Sequence, residues 1–306
     1  MLSGPAKGVA AMVGACTVWG LSPMYYKMLS HIPAMEVLSH RMIWSLVFFG
    51  VVLGAQGRLG EVLQAMNTRR SFALVAVASV MIAANWALFI WSVQTGRTTQ
   101  TSLGYYVYPL VAVVIGRVIF GEKLGSVQWL AVGLAAVAVV VLTVGLGTAP
   151  WIALTLALTF GLYGMIKKQL DVGPVVSVTT EVLLLVPFAV VILLQTYHNG
   201  GAVFGGDLTT MSLLVFAGPI TALPLIMFSF AARRLAMTTV GLLQYINPTL
   251  QFACAVFVFS EPFGRWHLIA FVLIWTALAF YSVSALRQDN ARRRAARAAS
   301  ASGTVL

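Results

Sequence analysis

Charge is what this chain has least of. Only 9% of its 306 residues are charged, against 60% hydrophobic, whereas a soluble domain carries about 25% and 45–50%. That balance excludes a water-facing globular surface. Cysteine is nearly absent too: Cys16 and Cys254 both lie in apolar runs without metal-ligand spacing, so neither a disulfide framework nor a cysteine metal centre is expected, and free buried thiols behave as small hydrophobes. Four histidines and eight carboxylates are scattered, with no HExxH, no paired aspartates and no phosphate-cradling glycine loop. Catalytic, cofactor and ATP-driven chemistry therefore have no visible seat. Val13, Gly14, Ala15 and Cys16 faintly resemble a lipoprotein cleavage box, but no polar tether follows and the segment reads as a membrane span.

What is present is a series of apolar runs long enough to cross about 30 Å of hydrocarbon. They fall at about residues 8 to 26, 34 to 53, 72 to 92, 101 to 119 and 126 to 144, then 150 to 167, 176 to 194, 211 to 230, 240 to 258 and 266 to 286. This predicts an all-α integral membrane protein of ten transmembrane helices. The longer connections are 54 to 71, the Gly-rich 195 to 210 and the basic tail from Arg287.

Lysine and arginine orient the chain. With the N-terminus in the cytoplasm, fifteen of the nineteen face inward: Lys7, Arg58, Arg69, Arg70, Arg117, Lys123, Lys167, Lys168, Arg233, Arg234, Arg287, Arg292, Arg293, Arg294 and Arg297. Lys27, Arg97 and Arg265 fall outside and Arg41 within a span, so the positive-inside rule predicts both termini cytoplasmic in a bacterial-type inner membrane. The net charge of +11 then reads as an orientation signal, with the tail available to anionic lipid headgroups and no nucleic-acid partner implied.

The chain repeats itself. Leu103, Tyr106, Pro109, Phe120, Glu122 and Gly125 recur 139 positions later as Leu242, Tyr245, Pro248, Phe259, Glu261 and Gly264. Gly20, Leu21, Met24 and Lys27 recur at an offset of 141 as Gly161, Leu162, Met165 and Lys168. Two halves, 1–147 and 148–286, are expected, followed by the tail 287–306. With five spans each, the second half is inserted upside down, a plan that lets a central site open to either side in turn.

Ionisable groups within the bilayer cost about 2.5 to 3.5 kcal/mol on insertion scales and are candidate functional sites. His40, Arg41 and Glu181 qualify; Glu36 sits at the start of its helix after Pro33, where the dipole favours an anion. Arg41 and Glu181 are repeat mates, yet helix rise puts them roughly 12 Å apart along the membrane normal, which argues against one fixed pair. Each either binds a nearby polar group or serves a ligand, Arg41 attracting a carboxylate and Glu181 a cation or proton; His40 is a second candidate for proton linkage. In the ninth span Gln244, Asn247 and Gln251 fall on one helical face beside Tyr245, and Pro248 frees a backbone carbonyl. The fourth span offers Tyr105, Tyr106 and Tyr108 with Pro109. Asn85, Trp86 and Trp91, with Trp19 and Tyr163, complete an aromatic and amide wall, open to the alternative that amides bond between helices and end aromatics anchor the interface. Gly50 and Gly54, and the run Ala131, Gly133, Ala135, Ala136, Ala138, read as close helix packing.

Trp19-Gly20-Leu21-Ser22-Pro23 with Tyr26-Lys27, Glu36 with His40-Arg41 and Trp44-Ser45, and Asn85-Trp86 with Leu88 to Trp91 resemble the RarD branch of the drug/metabolite transporter superfamily, whose repeat unit is called EamA. Ser102 to Tyr105, Gly121-Glu122-Lys123, Tyr163-Gly164, Gln244-Tyr245-Ile246, Pro248-Thr249-Leu250 and Phe271 to Ala277 continue the likeness over nearly the whole chain. The resemblance implies two inverted five-helix repeats with a cavity between helices 1 to 4 and 6 to 9. It further implies a secondary transporter moving a small metabolite, such as an amino acid or related amphipathic compound, with a coupling ion or counter-substrate. A passive channel and a non-transporting scaffold are the rival readings. Tyr108 stands where relatives often carry Asn before the proline, so a symmetric amide contribution is not expected.

Overall fold

A computed structural model describes residues 4–302 other than 122, 123, 168, 202 and 236. The helices are α1 (Gly4–Met28), α2 (Ala34–Ala55), α3 (Gly60–Gln64), α4 (Arg69–Gln94), α5 (Thr98–Phe120), α6 (Ser126–Leu146), α7 (Trp151–Lys167), α8 (Pro174–His198), α9 (Leu208–Ala232), α10 (Met237–Leu243), α11 (Ile246–Ala253) with a π turn at Cys254–Val258, and α12 (Arg265–Ser302). Among the described residues no strand occurs. Hydrocarbon offers the backbone no partner, and a helix satisfies its own. Eight of these helices are long and apolar enough to cross a membrane. The sixth predicted span is the 17-residue α7, about 25 Å at helical rise.

The ninth predicted span is not one helix. Pro248 has no N–H to return to the carbonyl of Gln244, and the chain breaks at that point: α10 stops at Leu243, Asn247 N turns back to Gln244 O at 3.1 Å, and α11 resumes at Ile246. Gln244, Asn247 and Gln251 therefore do not share one continuous helical face. The repeat mate Pro109 has no such effect, since α5 runs through it. The tail also differs from a free segment, because α12 continues as helix to Ser302. Glu122, Lys123 and Lys168, used in the repeat and orientation arguments, lie outside the described residues.

The helices of residues 1–147 interlock with those of 148–286. α1 packs on α9 and α11, as α7 packs on α4 and α5, while α2 faces α8 and α6 faces α12. The repeated glycines sit at equivalent crossings: a Cβ at Gly20 would come 2.6 Å from Leu250 Cβ, and one at Gly161 2.9 Å from Ile115 Cδ1 and 3.6 Å from Val111. Val111 and Leu250 are themselves 139 positions apart. Of the expected packing motifs, Ala131, Ala135 and Ala138 are buried in the α6 interface, but Gly50 meets nothing within 4 Å and Gly54 only Leu59 at 3.7 Å, so that pair is not a close crossing.

The closest approach of a glycine to another helix's backbone is one the periodicity did not single out. A Cβ at Gly218 of α9 would lie 2.4 Å from the carbonyl oxygen of Trp44 on α2, and backbone cannot step aside as a side chain can. Gly218→Ala is expected to cost about 1–3 kcal/mol by overpacking, read as lower folded yield and a lower unfolding midpoint in detergent. Gly133→Ala, in open space, should hold or gain up to about 1 kcal/mol from helix propensity.

Candidate functional site

Six helices bring a row of rings and two embedded charges together. Arg41 on α2 is 7% exposed, and its guanidinium carbon lies 4.0 Å above the ring of Trp86 on α4 and 5.7 Å from that of Tyr26 on α1. From Tyr26 the rings continue to Phe89 at 5.8 Å, Tyr105 at 6.0 Å, Phe160 at 5.9 Å and Tyr163 at 6.0 Å. The Tyr163 hydroxyl donates to Glu181 Oε2 at 2.9 Å. The row thus runs from one charge to the other through α1, α4, α5 and α7.

The two charges are differently settled. Glu181 on α8 is fully buried, and its Oε1 takes Lys167 Nζ at 2.6 Å and the Ser177 hydroxyl at 3.0 Å. Lys167 also donates to the Ser177 hydroxyl. Both oxygens of that carboxylate are thus engaged, and Lys167 supplies its counterion. Lys167, counted as a loop residue in the orientation argument, is the last residue of α7 and largely covered. The signal that could have found the group is its spacing: Tyr163 and Lys167, like Ser177 and Glu181, stand at i and i+4 on one helix face.

Arg41 has no such partner. Among the described residues the ion pairs are Arg58–Glu61 and Lys167–Glu181, and Arg41 Nε is buried without a hydrogen bond. Stacking on an indole offsets about 0.5–2 kcal/mol, short of the about 2.5–3.5 kcal/mol that an arginine costs at mid-membrane. One helical turn further along α2, Ser45 is fully buried and its Oγ is likewise unpaired.

Asn85, 1% exposed, is spent on positioning. Its Nδ2 donates to Leu156 O at 3.0 Å and Thr159 Oγ1 at 2.9 Å, and its Oδ1 accepts from the Tyr105 hydroxyl at 3.0 Å. It ties α4 to α7 and holds Tyr105 in the ring row.

A second stripe of α2 faces the α8–α9 connection. Glu36 Oε1 accepts from Val203 N at 3.0 Å, the His40 ring stacks on Phe204 at 4.8 Å, and Trp44 lies 6.2 Å from the same ring. Glu36 is thus more than a helix-end charge. At the same end of the bundle Gln94 Nε2 donates to Leu29 O at 2.9 Å and Ile32 O at 3.0 Å. Glu261 caps the start of α5 there, accepting from Thr98 N and Thr99 N at 2.7 Å each and from the Thr99 hydroxyl at 2.8 Å. Sequence reading saw Glu261 only as a repeat mark.

The remaining expected site residues lie elsewhere. Tyr106 bonds Thr249 at 2.6 Å and packs on Phe271 and Trp275 of α12, and Tyr245 joins the same cluster. Trp91 stacks with Trp151 and Arg97 near the helix ends, and Trp19 tilts against Phe228. Gln251 is 2% exposed and donates to Asn247 Oδ1 at 2.9 Å. It accepts from Thr101 at 3.4 Å, and Ser102 donates to the carbonyl of Pro248 at 2.8 Å. Gln251 thus links α11 to α5, its bond to Asn247 lies within α11, and Gln244 and Asn247 are partly exposed.

The comparisons agree with this architecture. Residues 6–144 match the EamA-like transporter family. The protein RarD of Streptomyces exfoliatus is 42% identical over 96% of this chain and 93% of its own length. The protein RarD of Escherichia coli (strain K12) is 36% identical over 92% and 95%, and an uncharacterized transporter of Vibrio cholerae is 38% identical over 94% and 96%. A protein of known crystal structure superimposes with a TM-score of 0.59 over 89% of this chain and 96% of its own at 14% identity, a likeness of fold alone. The chain, a multi-pass membrane protein, therefore belongs to the EamA-like transporter family and, within the drug/metabolite transporter superfamily, to its RarD branch.

Proposed function

We propose that this membrane transporter is a secondary carrier that moves a small amphipathic metabolite by alternating access, driven by a solute or ion gradient. The observation that carries the reading is the uncompensated Arg41 guanidinium in the middle of a bundle assembled from two related halves. A packing residue would have been given a counterion, as Glu181 was. The ring row supplies apolar walls and a polar end group, the usual composition of a small-molecule site. Inverted halves, 1–147 and 148–286, supply the means of exchange by rocking against each other, with the break at Gln244 and Tyr245 as a flexible joint. The ties made by Glu36, Gln94 and Glu261 gather at one end of the bundle, which supports a state closed there. With the basic residues inside, that end is the periplasmic one of an inner-membrane protein, and the arginines of the tail meet anionic headgroups.

Purified protein in vesicles preloaded with an unlabelled metabolite extract is expected to take up label from an isotopically labelled extract in a saturable, trans-stimulated manner. Uptake without saturation or trans-stimulation would make it a channel, and no uptake would make it a scaffold.

Orientation is open to thiol labelling. In a variant lacking Cys16 and Cys254, a cysteine in place of Asn199, an exposed position, should react with an impermeant reagent added to spheroplasts. Protection until the cells are lysed would reverse the topology.

The buried pair gives a stability test. Lys167→Met strands the Glu181 carboxylate and is expected to cost about 3–5 kcal/mol, whereas Lys167→Met with Glu181→Leu should recover most of it. Folded yield and unfolding midpoint would reveal the non-additivity.

A further inference from the structure

The polar groups left open around Arg41 define what the site takes. They are the guanidinium Nε of Arg41, a donor, and the hydroxyl of Ser45, which can donate or accept, one turn apart on the same side of α2 and both buried without a partner. The acceptors nearby are already committed. Glu181 holds Lys167, Ser177 and the Tyr163 hydroxyl, and Asn85 Oδ1 holds the Tyr105 hydroxyl. Glu36 has one free oxygen, but it lies five residues before Arg41, about 140° around the helix, on the stripe bonded to Val203. The surroundings of the guanidinium are rings: Trp86 above it and Tyr26 beside it, with Phe89 and Tyr105 next in the row.

An ammonium group finds no free carboxylate beside the guanidinium and meets a like charge there, while a carboxylate finds a charged donor and a hydroxyl. We propose that the substrate is a monocarboxylate with a planar apolar body and no ammonium group, its carboxylate held between Arg41 and Ser45 and its body against Trp86 and Tyr26. This rests on the transporter reading and narrows it, excluding cations and favouring simple acids over zwitterionic amino acids. A carboxylate supplies to Arg41 the counterion that the protein withholds, so binding and relief of a buried charge are one event.

The test uses the full chain in lipid nanodiscs, followed by thermal unfolding with benzoate, benzylamine and phenylalanine as probes. Benzoate should raise the midpoint of the native protein, since a ligand of the folded state stabilises it by mass action, and benzylamine should not. Arg41→Met should abolish the benzoate shift and, because an unpaired buried charge has been removed, raise the ligand-free midpoint by roughly 2 °C. Ser45→Ala should weaken the benzoate shift, and Arg41→Lys should retain part of it. A lower ligand-free midpoint in Arg41→Met would mean that Arg41 has a partner within the protein and would overturn the proposal. So would a benzoate shift that survives Arg41→Met, a benzylamine or phenylalanine shift equal to that of benzoate, or no shift with benzoate at all. The two readings part in the vesicle experiment. Trans-stimulated flux confined to cationic or neutral solutes leaves a transporter without the acid site, whereas an Arg41-dependent benzoate shift with no flux of any solute leaves the site without the transporter.

Discussion

Every polar group carried into hydrocarbon must find its partner inside the protein, and the rest of this structure follows from how strictly that demand is met. Glu181 meets it with Lys167, Ser177 and Tyr163; Asn85 meets it with Leu156, Thr159 and Tyr105; Gln251 meets it with Asn247 and Thr101. Serines and threonines within the spans largely return their hydroxyls to a carbonyl one turn back, as Ser39, Thr180 and Thr221 do. Against that background the unanswered atoms gather on α2, where Arg41 Nε and Ser45 Oγ have no hydrogen-bond partner and neither do Glu36 Oε2, His40 Nε2 and Trp44 Nε1. Rings flank the charge and, among the described residues, no carboxylate pairs with it, and a ring offsets less than a charge costs at this depth.

The two halves share a plan without sharing every device. Gly20 and Gly161 make equivalent crossings against Leu250 and against Ile115 with Val111, so close approach has been kept in both copies. Pro109 and Pro248 are aligned by the same offset, yet only the second interrupts its helix. The difference is consistent with their neighbours: α11 is followed by a π turn and by Glu261, which reaches across to α5, so the second copy carries the irregular backbone that an articulated segment needs.

Much of this was legible in the sequence. Membrane class and helical content follow from apolar runs of spanning length, and the repeat follows from residues that recur at a fixed offset, both of which are one-dimensional signals. The row of rings was legible in part: Trp86, Tyr105 and Tyr163 were identified, but Tyr26, Phe89 and Phe160 look like any apolar residues of a span until tertiary packing lines them up. Lys167 was misread because counting basic residues by loop assigns a helix-end lysine to water, although its long stem lets the ammonium reach back one turn to Glu181. Glu36 was undervalued for the same reason of locality, since its hydrogen bond is to Val203, 167 positions away. The polar stripe of the ninth span was overvalued, because a helical wheel drawn through Pro248 presumes the continuity that the proline removes.

The contact that Glu261 makes with the start of α5 is a strong one. Hydrogen bonds to a charged group contribute about 1.5–3 kcal/mol each net of what water would supply, and Glu261 accepts three from Thr98 and Thr99. Taken together they are comparable to the about 5.5 kcal/mol that carries a two-state equilibrium from one part in a hundred to its inverse. The carboxylate comes from the loop after the π turn of one half and the amides from the first turn of α5 in the other, where the helix dipole adds to the attraction. These three bonds link α5 to the segment after the π turn, whereas the Lys167–Glu181 group joins the consecutive helices α7 and α8. Glu261 ties α5 to the segment after the π turn and Glu181 ties α8 to α7, whereas among the described residues the guanidinium of Arg41 on α2 has no carboxylate partner.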